Sequence, residues 1–251
     1  SGGGHSIRAW SGQSIAKESA GVLQEWLDGL PGSAAFVANG REAIVVGITR
    51  QLIGDKRFGA GGFRYCGNIL PPSLPRDELR SLLGQVQAIV NLLTVEFGLM
   101  GLNGLDFIWH KASPRAEASP GGEGRVWPIE VNPRPTAPLE LMDRVYGVNL
   151  FAAHVQAFSG QLPAFDLHSA IEDAPAAGKA ILFAEKDIIV GDTTDWFERG
   201  IRDIPYPGEH IKKGKPVCTI LVTAASPESC EQKLEQHAVE MKSLVQSLVV
   251  L

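Results

Sequence analysis

Apolar residues in the first third of the chain are arranged as a β-hairpin would require. Residues 33–38 and 42–52 are rich in alanine, valine and isoleucine, and an Asn-Gly pair stands between them at 39–40. Such a pair favours a tight turn between two antiparallel strands. Residues 20–29 predict a short strand ahead of this hairpin. Residues 54–75 hold prolines and glycines around aromatic residues, which predicts an ordered loop over the sheet.

Helical spacing of apolar residues is clearest over residues 75–97. Leucine, isoleucine and valine recur there three and four positions apart, which predicts an amphipathic helix. Ser73 is a candidate N-cap for this helix, and Gly98 is placed to end it. Residues 138–159 repeat the helical spacing, and we predict two helices separated near Gly147.

The rest of the chain predicts a second, smaller unit. We predict a linker over residues 163–178, followed by several β segments and an amphipathic final helix at 227–249. The predicted organisation is therefore a main domain at 1–162, the linker, and a small β-rich C-terminal subdomain at 179–251 that ends in a helix.

Composition limits the classes of protein to consider. The chain has 251 residues, of which 44% are hydrophobic, and a formal net charge of -5. An acidic balance disfavours a nucleic-acid partner. No apolar run approaches the roughly 20 residues that span a bilayer, and there is no signal-peptide pattern. We therefore expect a cytoplasmic protein with no membrane partner. Three widely spaced cysteines argue against a disulfide framework and a zinc ribbon.

Polar residues on two predicted strands carry the strongest chemical signal. These strands cover residues 104–109 and 126–132. Side chains alternate between the faces of a strand, so Glu130 and Asn132 project to the same side. Antiparallel pairing can bring Asp106 opposite them. Two carboxylates and an amide oxygen are hard ligands that suit Mg²⁺ better than zinc.

Arg134 lies two residues beyond this cluster and would point the same way if the strand continued. Pro133 and Pro135 stiffen the segment around it. A rigid guanidinium beside a metal could hold a carboxylate or stabilise developing negative charge. The alternative is that Glu130 and Asn132 are simply the solvated face of an amphipathic strand.

The chain opens with a glycine cluster, Gly2, Gly3 and Gly4. Glycine has no Cβ, so its backbone N–H groups can approach a phosphate closely. The cluster is neither a Walker A motif nor a Rossmann fingerprint. A glycine triplet at a terminus is, by itself, most often a flexible end.

Taken together, these sequence segments resemble those of an ATP-grasp protein over about residues 1–160. Residues 2–8 resemble the glycine-rich loop that covers the ATP phosphates, and residues 23–29 resemble the strand and hinge whose backbone reads adenine. Residues 101–107 and 129–135 resemble the metal-binding pair of strands. Within the superfamily, the chain is most similar to carboxylate–amine ligases related to biotin carboxylase.

The resemblance implies an α+β ATP-grasp fold, built from antiparallel sheets with packed helices, and ATP and Mg²⁺ as cofactors. It implies that Asp106, Glu130 and Asn132 are Mg²⁺ ligands and that Arg134 stabilises an acyl phosphate or the attacking carboxylate. The implied ATP-binding residues are Gly2, Gly3, Gly4, Glu25, Trp26 and Leu27.

The function implied is ligation of a small acid to a small amine through an acyl phosphate, in the setting of pterin or furan coenzyme biosynthesis. The alternatives are a biotin-carboxylase-like carboxylase and a truncated, non-catalytic module that binds a nucleotide or a partner. Family members carry further structure ahead of the glycine loop, including lysines that contact ATP. We therefore expect either a missing N-terminal segment or second chain, or a homodimer, bound at an exposed edge near residues 1–30.

Overall fold

A computed structural model describes residues 7–10, 12, 22–110 and 124–247. Its strands are β1 (Leu30–Asn39), β2 (Ala43–Ile53), β3 (Tyr65–Leu70), β4 (Met100–His110), β5 (Arg125–Asn132), β6 (Ala176–Phe183), β7 (Ile188–Ile189), β8 (Ile201–Arg202), β9 (His210–Ile211) and β10 (Pro216–Ala224). Eight of them form one sheet in the order β5-β4-β1-β2-β3-β6-β10-β8, while β7 and β9 form a separate pair. Every pairing in the large sheet is antiparallel.

Helices cover both faces of this sheet. They are α1 (Arg76–Phe97), α2 (Leu139–Tyr146), α3 (Leu150–Ala157), α4 (Leu167–Asp173) and α5 (Pro227–Ser247). Helix α1 packs on β1, β2 and β4, and α5 packs on the same face over β6 and β10. Helices α2 and α3 cover the opposite face. The sheet is therefore the middle layer of three.

The hairpin and the first helix confirm the sequence pattern. Strands β1 and β2 pair around the turn at Asn39. Helix α1 buries Leu82, Val86 and Val90, which lie on one face of the helix at intervals of four residues. Gly98 ends α1 in the left-handed conformation, where glycine carries no steric cost.

The two helices predicted around Gly147 are also confirmed. Helix α2 ends at Gly147, again in the left-handed conformation. Asn149 caps the next helix, α3, because its side-chain oxygen accepts from the backbone N–H of Ala152 at 2.9 Å.

Three local predictions are wrong. The described part of the predicted strand at 20–29, residues 22–29, has no regular secondary structure. The predicted loop at 54–75 contains β3, a central strand of the sheet. Ser73 does not cap α1; its hydroxyl donates to Glu228 on α5 instead, and α1 begins after Pro75 without a side-chain cap.

Gly67 explains why β3 was hard to recognise. A Cβ at this position would lie 2.1 Å from the carbonyl oxygen of Lys179 on β6. Glycine is therefore needed inside the strand, where it normally indicates a turn or a bulge. The glycine that suggested a loop in the sequence is in fact required because the backbones of β3 and β6 approach closely at Gly67.

Pairing of β3 with β6 joins the predicted main domain and the predicted C-terminal subdomain within one sheet. The segment predicted as a linker, 163–178, contains α4 and the first residues of β6. Asp166 caps α4 by accepting from the backbone N–H of His168 at 3.1 Å. The domain boundaries themselves stay a prediction.

Candidate functional site

The edge pair of strands, β4 and β5, brings three of the predicted site residues together. Asp106 stands directly opposite Glu130, and Gly104 stands opposite Asn132. The amide nitrogen of Asn132 lies 3.4 Å from Oδ2 of Asp106. The antiparallel register expected from the sequence therefore forms an acidic cluster of Asp106, Glu130 and Asn132 on one face. Their role as metal ligands stays a prediction.

Burial and like charge disfavour the ionised form of Asp106 in this cluster. Burial raises the pKa of Asp106, and the negative charge of Glu130 raises it further. Hydrogen bonds with Ser33 and Asn132 and the charge of Arg134 act in the opposite direction, and the net effect is a raised pKa. A divalent cation between the two carboxylates would remove this repulsion, so the donors present fit Mg²⁺.

Asn132 is needed to complete a three-ligand set. The described residues contain no group of three His, Cys, Asp or Glu side chains able to hold a metal. The Asn132 amide oxygen accepts from Nη2 of Arg134 at 3.1 Å, while its nitrogen faces Asp106. Half a turn of the amide would present the oxygen to a cation beside Asp106.

Arg134 lies on a turn that begins as β5 ends. Its backbone N–H donates to the carbonyl of Asn132 at 2.8 Å, and its Nη1 donates to the carbonyl of Pro135 at 3.1 Å. The guanidinium is exposed and lies beside the acidic cluster. A Cβ at Gly104 would lie 2.5 Å from Cγ2 of Thr136, so this glycine lets the turn pack closely on β4.

A row of buried polar side chains supports Asp106 from the neighbouring strands. Nε2 of Gln51 donates to Oδ1 of Asp106 at 3.0 Å. The Thr49 hydroxyl donates to the carbonyl of Ser33 at 3.2 Å, and the Asn68 amide donates to Thr49 Oγ1 at 2.8 Å. Ser33, Thr49 and Asn68 are buried, and none of the three was predicted. Polar residues inside otherwise apolar strands were the signal that could have identified them.

The row continues to Tyr65 and Lys179. The Tyr65 hydroxyl donates to Oδ1 of Asn68. Burial raises the pKa of Tyr65, with smaller contributions from Glu140 and from Asp106. Lys179 stands opposite Asn68 across β3 and β6. Residues of both predicted domains therefore meet on one face of the sheet.

The predicted ATP-binding residues have different outcomes. Gly2, Gly3 and Gly4 lie outside the described residues. Glu25, Trp26 and Leu27 lie in the irregular segment just before β1. The Trp26 ring packs edge-on against Phe63 with centroids 5.6 Å apart, and Nε1 of Trp26 donates to Asp28 at 2.7 Å. Their predicted role in adenine binding stays a prediction.

A family model described as an ATP-grasp domain matches residues 1–138. The chain belongs to the ATP-grasp family. The predicted family and the α+β ATP-grasp fold class are thus confirmed. No curated protein matches the chain.

Solved structures share this fold at low sequence identity. An L-amino acid ligase from Bacillus licheniformis is 16% identical with a TM-score of 0.61, over 84% of this chain and 52% of the ligase chain. A phosphoribosylaminoimidazole carboxylase ATPase subunit from Aquifex aeolicus is 14% identical with a TM-score of 0.55, over 84% of this chain and 58% of that chain.

A third similar structure is a biotin carboxylase domain dimer of the Hydrogenobacter thermophilus 2-oxoglutarate carboxylase. It is 16% identical with a TM-score of 0.56, over 84% of this chain and 45% of that chain, and it contains MgADP and bicarbonate. The present chain spans about half the length of these relatives. The third relative is itself a domain of a larger enzyme. Among the helices that the structure describes, none is long and apolar enough to cross a membrane.

Proposed function

We propose that the acidic cluster of Asp106, Glu130 and Asn132 binds Mg²⁺ together with the phosphates of ATP. The observation that supports this most strongly is the placement of two carboxylates directly opposite each other, with Asp106 partly buried and Glu130 exposed. Like charges at such positions repel each other, and a bound cation would relieve that repulsion. Mg²⁺ held by the Asp106 and Glu130 carboxylates and the Asn132 amide oxygen would neutralise phosphate charge.

We further propose that the protein acts as an ATP-dependent ligase that joins a small acid to a small amine. A carboxylate oxygen of the acid attacks the γ-phosphorus of ATP, and ADP leaves. The amine nitrogen then attacks the carbonyl carbon of the acyl phosphate; phosphate leaves, the nitrogen loses a proton, and an amide forms. A role in pterin or furan coenzyme biosynthesis stays a prediction.

Arg134 has the chemistry and the location to act on the acid in this reaction. Its guanidinium is exposed beside the acidic cluster and is fixed by bonds to Asn132 and Pro135. A fixed planar cation can bind a carboxylate and continue to bind it as negative charge moves to the acyl phosphate. Asp106 and Glu130 lie on β4 and β5, just before the turn that carries Arg134. The guanidinium therefore offers an anion site next to a cation site.

We also propose that another segment or chain covers the residues before β1. Val22, Leu23 and Trp26 are 95%, 62% and 67% exposed, and exposed apolar side chains that form one patch often mark an interface. Adding a separately produced N-terminal fragment should raise ATP turnover, and light scattering should show a complex. A monomer that is fully active alone would contradict this proposal.

Isothermal titration calorimetry with ADP tests the metal proposal. Wild-type protein should bind ADP more tightly with Mg²⁺ than with EDTA, and Glu130→Gln should lose this difference. Glu96→Gln, on the exposed side of α1, is the matched control and should keep it.

Mass spectrometry of products from mixtures of acids and amines would then separate a ligase, which forms an amide, from a carboxylase, which consumes bicarbonate. ADP binding without turnover would favour a binding module.

A further inference from the structure

Lys179 is a deeply buried lysine in the middle of the sheet. Only 7% of the residue is exposed. Its ammonium donates to the carbonyl oxygen of Ala137 at 3.3 Å and forms an ion pair with Glu140. Removing a lysine from water is costly, so such an ion pair contributes little net stability. We therefore ask which segment these two contacts of Lys179 hold in place.

One contact of Lys179 is made to the turn that carries Arg134, and the other is made to Glu140 in the first turn of α2, which follows it. This turn runs from the end of β5 to the start of α2 and contains three prolines, Pro133, Pro135 and Pro138. Proline has no N–H group, so the turn can make few backbone bonds of its own. Lys179 binds Ala137 at the end of this turn and Glu140 at the start of α2, on either side of Pro138.

Thr136 provides a second anchor, through its close packing on Gly104 of β4. The turn is thus held between β4, the neighbour of the edge strand, and β6 from the C-terminal part of the chain. Arg134 in turn bonds the side chain of Asn132. A movement of the turn would therefore change the direction of the guanidinium relative to the acidic cluster.

We propose that Lys179 is a positioning residue for Arg134. It fixes the turn at residues 133–138 and the start of α2 from the neighbouring half of the sheet, and it touches neither the nucleotide nor the acid. This inference rests on the proposed function, because it assumes that Arg134 acts on the reacting groups. It also gives the C-terminal strand β6 a function in a site that the sequence assigned to the main domain alone.

A double-mutant cycle between Lys179→Met and Arg134→Ala tests the inference. Phosphate release from MgATP is the readout. Lys179→Met should lower kcat by about tenfold, a typical loss when a reacting group is misplaced, while KM for MgATP stays within about twofold. In the Arg134→Ala background the same change should have little further effect, because Lys179 acts through Arg134.

Two further variants separate position from general stability. Lys242→Met breaks another lysine–glutamate ion pair, with Glu185, on the C-terminal part of the chain, and should leave kcat unchanged. Glu140→Gln keeps the shape of the partner side chain and should lower kcat in the same direction as Lys179→Met but by less. Effects of Lys179→Met and Arg134→Ala that multiply in the double variant would overturn the proposal.

Hydrogen–deuterium exchange tests the positioning independently of catalysis. In Lys179→Met, amides in residues 134–141 should exchange at least about tenfold faster, while β4 and β5 keep their protection. Unchanged exchange of the turn would overturn the inference even if the protein hydrolyses ATP. Absence of ATP hydrolysis by the wild-type protein would count against the proposed function, and faster exchange of the turn would then still support the positioning.

Discussion

Two clusters of charged residues in this protein are built on opposite principles. In the acidic cluster, Asp106 faces Glu130 across β4 and β5, so like charges are held together. In a second cluster, which we call the paired cluster, Arg50 and Arg57 are surrounded by Asp55, Glu231 and Glu235. Arg57 lies 2.6 Å from both Asp55 and Glu231.

The difference agrees with a stabilising role for the paired cluster and with the proposed cation-binding role of the acidic cluster. The paired cluster joins the loop after β2 to α5, and hydrogen bonds with Asp55 and then with Glu231 raise the pKa of Arg57 despite its burial. The acidic cluster has the opposite character, because burial and Glu130 raise the pKa of Asp106. In the acidic cluster the charge of Arg134 does not offset burial and Glu130, so the pKa of Asp106 stays raised.

The largest expected effect is on the acidic cluster. Asp106→Asn should weaken Mg²⁺-dependent ADP binding by at least about a hundredfold, more than loss of a residue that only supports a metal ligand. The melting temperature should stay the same or rise slightly, because repulsion from Glu130 is removed. Calorimetry and a thermal melt measure the two quantities. A large loss of stability with binding retained would indicate a structural role.

Removal of the central acid of the paired cluster should have the reverse outcome. Glu231→Ala should lower the free energy of unfolding by about 1–3 kcal/mol, because two partly buried arginines lose a partner. ADP binding should not change. Urea denaturation measures the effect, and Glu235→Ala, at the exposed rim, should cost less than about 1 kcal/mol. Equal losses of unfolding free energy in the two variants would show that partial burial of Glu231 does not strengthen its ion pairs.

The polar row next to the acidic cluster should give an intermediate result. Thr49→Val removes the acceptor of the buried Asn68 amide and should cost about 1–2 kcal/mol. Thr94→Val is the matched control, because the Thr94 hydroxyl is buried without a hydrogen-bond partner in the described structure. That control should be neutral or stabilising in urea denaturation. A neutral Thr49→Val would show that the row is not needed for stability.

The smallest expected effect is the acid response of the paired cluster. Burial raises the pKa of Asp55, but hydrogen bonds from Arg57 outweigh it and leave the pKa below its ordinary value of 3.8. Asp55 thus contributes stability that is complete above that value and is lost as the pH falls through the lower, folded-state pKa. Asp55→Asn should therefore flatten the fall in unfolding free energy below about pH 4. Asp77→Asn, at the start of α1, should leave the profile unchanged; an unchanged profile in Asp55→Asn would contradict the assignment.

The local pattern of residues was sufficient to predict those parts of the fold that depend on residues close together in the sequence. The hairpin turn at Asn39 and the stop of α1 at Gly98 follow from the conformations these residues favour. The acidic cluster could also be predicted, because Glu130 and Asn132 lie on one strand and Asp106 on its neighbour. In each case, short-range geometry decides which side chains meet.

The remaining features depend on strand order, which local pattern does not specify. Asn68 meets Thr49, and Lys179 meets the turn after β5, because β3 lies between β2 and β6 in the sheet. Because Gly67 and its neighbours made β3 resemble a loop in the sequence, the sequence did not predict either contact. The same holds for Arg57 and Glu231, which are separated by 174 positions along the chain.

The position of a bound cation tests the central claim most directly. Crystals of the protein grown with Mn²⁺ and ADP would locate the ion by its anomalous scattering. We expect a peak about 2.1 Å from a carboxylate oxygen of Asp106, from one of Glu130 and from the amide oxygen of Asn132. Bound ADP with no peak at this cluster, or with a peak among other residues, would contradict the account.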